Sequence, residues 1–176
     1  MSRDGGFIRE LVMKRAIKAV ELMHLLPQLR DPQSELLLLR SCMGVAKMFF
    51  GMRTCQPEHL EQAATYFDSG LRGACEDIMV SGGSFFGDLQ WRLASLPIRF
   101  GGLGLYSAVE TSSYAFVASR VQSSVLQDHI LRDSGTLGMD PDFDRALDNL
   151  RVTLLDFDLS SFINKNSVPP NVTTRI

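Results

Sequence analysis

Pro57 opens the stretch that most constrains how this chain folds. Behind it, in "PEHLEQAATYFDSGLRGACEDIMV", the residues Leu60, Ala63, Ala64, Phe67, Leu71, Ala74 and Ile78 recur every three or four positions. That is the 3.6-residue period of a helix with one apolar face, sustained over about five turns. Proline suits the first helical position, where its missing N–H would have had no partner. An apolar stripe this long has to be covered, so the rest of the chain must supply the elements that pack on it.

Those elements read as helices too. In "FIRELVMKRAIKAVELMHLL", residues 7–26, the positions Ile8, Val12, Ala16, Ala19, Met23 and Leu26 form one face. Glu10, Lys14, Lys18 and Glu21 fall on another, and Glu10 with Lys14 is a favourable i,i+4 pair. Pro27 ends that helix. Asp31-Pro32 restarts the chain with a capping side chain and a proline, predicting a mostly buried helix through about Phe50. "SGGSFFGD" reads as a loop, "FGDLQWRLASL" as a short helix that stops before Pro97. Ser107 followed by Glu110 is a capping box and predicts a helix from Ala108 to Val121, with a separate short helix over Val125 to Leu131. Asp140-Pro141 repeats the cap-plus-proline start for a helix to about Leu154. No strand pattern appears. The expectation is an all-α compact bundle of five to seven helices, a helical domain over residues 1–155 and a poorly ordered, disordered C-terminal tail over 156–176.

Composition narrows the function classes. With 176 residues, 45% apolar and 22% charged, the chain has the profile of one globular domain. "MSRDGGFIRE" lacks the apolar core of a secretory signal, and no run approaches a membrane span, so an intracellular protein without membrane contact is expected. Cys42, Cys55 and Cys75 are odd in number and contain no CxxC pair, which suggests small buried hydrophobes and neither a disulfide framework nor a zinc knuckle. His24, His59 and His129 do not fall at metal-ligand spacings. The net charge of −2 is unevenly spread: residues 1–53 hold nine Lys or Arg against five Asp or Glu, and the remainder nine against fifteen. A basic first third permits contact with nucleic acid at one end of the molecule. Lys14, Arg15 and Lys18 are the one basic cluster at helical spacing, to which Arg40 and Lys47 could add after packing.

Two motifs suggest ligands and fail on inspection. Gly102-x-Gly104-x-x-Ser107 is close to a dinucleotide fingerprint, and a helix follows whose N-terminus could attract an anion. That fingerprint needs a buried strand before it, whereas here "LASLPIRF" is broken by Pro97 and charged at Arg99. The glycines are therefore expected to turn the chain between helices. Asp140-x-Asp142-x-Asp144 begins like a calcium loop, but the required Gly and Glu are replaced by Arg145 and Arg151. No paired carboxylates for two-metal chemistry and no G-x-S-x-G elbow occur, so no catalytic residue and no cofactor is expected.

Several stretches together resemble reverse-transcriptase-related proteins of retrotransposon origin, of the plant, LINE-like kind. They are "LLLLRSCMGVAKMFFGMRTCQP", "FDSGLRGACEDI", "GDLQWRLASLPIRFGGLGLYSAVETSSYAFVASR" and "LQDHILRDSG", and the most specific block is "LASLPIRFGGLGLYSA". The resemblance runs from about Ser2 to Pro170 and implies a segment downstream of the polymerase palm, where a helical thumb-like or connecting part lies. The family's Tyr-x-Asp-Asp metal-binding motif is missing, so the resemblance implies a truncated remnant that supports a primer-template or a neighbouring domain without polymerase activity. Two roles are expected from it. One is weak nucleic-acid binding, to DNA or RNA, through Lys14, Arg15 and Lys18. The other is a protein-interaction or self-association module exposing an apolar surface left by the missing palm.

Overall fold

The computed structural model describes residues 4–81, 83, 86–131, 141–154 and 160. Among them the chain is an all-α bundle without strands. Its helices are α1 (Gly5–Met23), α2 (Pro32–Ser41), α3 (Phe49–Thr54), α4 (Pro57–Val80), α5 (Asp88–Ser95), α6 (Ala108–Leu131) and α7 (Pro141–Thr153). Single 3₁₀ turns lie at Leu26–Leu29, Val45–Lys47 and Ile98–Phe100. The tail expected to be disordered, residues 156–176, and the Asp140 cap lie outside the described residues, apart from Ser160.

α4 is the central element. Every residue of its apolar stripe is buried, joined by Cys75. At full burial each large side chain contributes about 1.5–3 kcal/mol, so the stripe drives the packing of the neighbours laid over it. α1 makes the most extensive of these packings, burying Ile8, Val12, Ala16, Ala19, Val20 and Met23. The two helices approach closely at Gly70, where an added Cβ would come within 2.5 Å of Val20 Cγ2. Asp4 caps α1 by accepting the Gly6 amide at 2.9 Å. Asp31 caps α2 by accepting the Ser34 amide at 3.3 Å. α2, α3, α5 and the start of α6 complete one main core around Met23, Leu39, Met52, Leu60, Phe67 and Leu71. A second, smaller core joins α6 to α7 through Phe116, Val117, Ala146, Leu147 and Leu150.

Three expectations need correction. The single helix expected from Asp31 to Phe50 is broken after Ser41. Gly44 is buried with its backbone extended, and a Cβ there would lie 2.9 Å from the Arg40 carbonyl, so the chain folds tightly back onto the end of α2. This segment is also less buried than expected, since Leu37, Phe49 and Phe50 are exposed. The two helices expected over 108–121 and 125–131 are one continuous helix, α6. The intervening "QSS" is polar but contains neither Gly nor Pro, and nothing there breaks the backbone ladder. Finally, Cys55 and Cys75 are buried as expected but Cys42, in the break after α2, is exposed.

Candidate nucleic-acid interface

The glycine turn is built by its own hydrogen bonds. After α5 and Pro97, the chain reverses so that its amides point back at carbonyls at or just beyond the end of that helix. Gly101 N donates to Ile98 O at 2.9 Å and Gly102 N to Pro97 O at 3.3 Å. Leu103 N donates to Ala94 O at 3.0 Å, Gly104 N to Leu96 O at 2.9 Å, and Leu105 N to Ala94 O at 3.3 Å. A phosphate cradle needs amides free to converge on an anion. Here five consecutive amides are committed to the chain itself, and three of them satisfy carbonyls that the end of α5 leaves without partners.

The glycines are required by this geometry. Gly101 and Gly104 take φ of 83° and 71°, in the left-handed region that other residues resist. Gly102 lies so close to Leu96 that a Cβ would sit 2.0 Å from its carbonyl oxygen.

The N-terminus of α6 is occupied as well. Asp68, projecting from α4, accepts the Ala108 amide at 2.6 Å and the Val109 amide at 3.1 Å, and the Ser107 hydroxyl donates to it at 2.5 Å. Ser107 Oγ in turn accepts the Glu110 amide at 3.1 Å, which is the serine half of the expected capping box. A carboxylate from the central helix therefore fills the place where an anion would bind, and it complements the α6 dipole. The turn and its helix are architecture.

Lys14, Arg15 and Lys18 share the exposed side of α1. Lys14 Nζ contacts Glu10 Oε1 at 2.8 Å, and this ammonium holds the Glu10 carboxyl below its ordinary range, mainly through the hydrogen bond. The Arg15 guanidinium lies over the Phe50 ring, 4.9 Å from its centroid, so α3 extends the surface with the exposed pair Phe49 and Phe50. Lys47 is exposed on the 3₁₀ turn that contacts α1. Arg40 is turned elsewhere, its Cδ lying against Gly104 of the glycine turn. The aromatic pair was not legible as part of the site, although two adjacent large residues on one helix lie about 100° apart and do not share a narrow core-facing stripe.

The remaining candidates are internal contacts. Asp142 accepts from Gln56 Nε2 at 3.1 Å, and Arg145 pairs with Glu58. Both contacts line a polar cleft of about 310 Å³ where α7 meets α4 and α6, and they tie α7 to the bundle. Among the described residues no three His, Cys, Asp or Glu side chains gather to hold a metal, and no helix is long and apolar enough to cross a membrane. No protein-family model, curated protein or solved structure matches the chain.

Proposed function

We propose that this chain is a non-catalytic helical module, of the retrotransposon reverse-transcriptase kind its sequence resembles, that binds nucleic acid weakly through the joined surface of α1 and α3. The observation that carries this reading is Arg15 stacked over Phe50, because it links a basic helix face to exposed aromatic rings. Cations follow a phosphate backbone, and rings offer unpaired bases a surface for stacking. Three cations imply a salt slope of about −2 for a single strand, so affinity falls roughly 20-fold between about 50 and about 200 mM salt. The test is filter binding of single-stranded DNA and RNA to the wild type and to the combined Lys14→Glu, Arg15→Glu, Lys18→Glu variant. All three side chains are exposed, so the variant keeps its thermal unfolding curve and loses binding. Unchanged affinity would sink the reading.

A second reading, a protein-interaction module, is favoured by a separate observation. Apolar side chains of α5 and the glycine turn are exposed away from the basic cluster in sequence, including Leu89, Leu93, Ile98 and Phe100. Surfaces of this kind mark contact sites.

A further inference from the structure

α5 turns Ala94 into the core and presents Leu89 and Leu93, one helical turn apart, on its outer side. Leu93 lines a groove of about 600 Å³ together with Met79, Gly101 and Leu103, so the helix face continues into the glycine turn. In the turn itself Leu96, Ile98 and Phe100 are exposed as well. These three, with Met79, Leu89 and Leu93, are 39% to 67% exposed. Fully burying a side chain of this kind is stabilising, and these six leave a large part of that gain unrealised.

We infer that a second copy of this chain covers the face, through a two-fold pairing of antiparallel α5 helices; the inference rests on the interaction-module reading above. The charges are self-complementary. Asp88 and Arg92 sit one turn apart on the same flank of the Leu89–Leu93 stripe. In an antiparallel two-fold pair like flanks meet, which sets Asp88 of one copy against Arg92 of the other, and the contact repeats across the axis. Asp88 already holds Arg72 through Oδ1 at 2.8 Å, yet its side chain is 87% exposed and open to a second cation.

Sedimentation equilibrium of the full chain tests this. A monomer–dimer equilibrium is expected, with a Kd of about 1–100 μM. Leu93→Glu, at an exposed position that leaves thermal unfolding intact, weakens it about 100-fold or more. Arg92→Asp weakens it about tenfold by opposing like charges, and Leu11→Glu on α1 leaves it unchanged. A dimer indifferent to Leu93→Glu would overturn the inference, and so would a monomer at every concentration. In the monomer case, a hydrophobic dye separates the two levels. Dye binding that Leu93→Glu removes would keep the interaction surface and assign it a different partner. No dye binding would remove the apolar surface, and the interaction-module reading would fall with the inference.

Discussion

The glycine turn and the outer face of α1 belong to one helical framework, yet they treat their polar groups in opposite ways. At the turn, five consecutive amides donate to carbonyls at or just beyond the end of α5, and the helix N-terminus that follows is closed by Asp68. On α1, the cationic side chains reach outward to a surface pair with Glu10 and to an exposed ring of Phe50. In the motif that looks most like a ligand site, the five amides of the turn and the first two of the helix after it are already engaged. The cluster that looks like an ordinary solvated face is the one whose charges remain accessible. Counting where each donor goes separates the two, and motif spacing alone does not.

The strongest way to break this comparison is Gly102→Ala. With a Cβ 2.0 Å from the Leu96 carbonyl oxygen, the turn cannot close, and a loss of about 4 kcal/mol or more is expected in urea unfolding. Gly101→Ala is its measure of scale: open space surrounds that position, only the left-handed φ of 83° is strained, and the cost falls to about 1 kcal/mol. Equal effects at the two sites would show that backbone approach does not set the turn.

Asp68→Ala comes next. It removes three hydrogen bonds to the start of α6, two of them to backbone amides, and is expected to cost about 2 kcal/mol. If it also created a phosphate site detectable by titration with inorganic phosphate, the carboxylate's place at the anion position would be demonstrated directly.

Phe50→Ala sharpens the other half of the comparison. The ring is exposed, so stability should change by no more than about 0.5 kcal/mol. Single-strand affinity should fall by about tenfold as stacking is lost. Unaltered affinity would reduce the α1 surface to charge alone.

The smallest effect concerns pH. Burial, and secondarily the carboxylate of Glu76, push the Cys75 thiol up to about 11. The folded state therefore keeps this proton where the unfolded chain gives it up. Its contribution to stability is intact below the ordinary thiol range near 9 and is lost as pH rises towards 11. Denaturation curves across that window should decline less steeply for Cys75→Ala than for the wild type. The exposed Cys42 should meanwhile react with a thiol reagent in the native protein, with Cys75 protected.

Much of the framework was legible because it depends on local chemistry. Pro57 and the α4 stripe, the Asp31 cap and the buried face of α1 each follow from periodicity and from what a helix end requires. The break at Gly44 was missed because it depends on the approach of one backbone segment to another, which a run of apolar residues conceals. Asp68 was missed for the same reason. Its partners lie about 40 residues away, and only the packing of α4 against α6 brings them together. Lys14, Arg15 and Lys18 were visible as a cluster, whereas Phe50 entered only when α3 turned its aromatic pair outward.

The most direct measurement is an amide-resolved NMR titration of the full chain with a short single-stranded oligonucleotide. The account predicts salt-sensitive shifts at residues 7–18 and 49–53, and none at the amides of Gly101 to Leu105, Ala108 and Val109, whose donors are already committed. Shifts centred on Gly101 to Val109, with α1 and α3 silent, would contradict it.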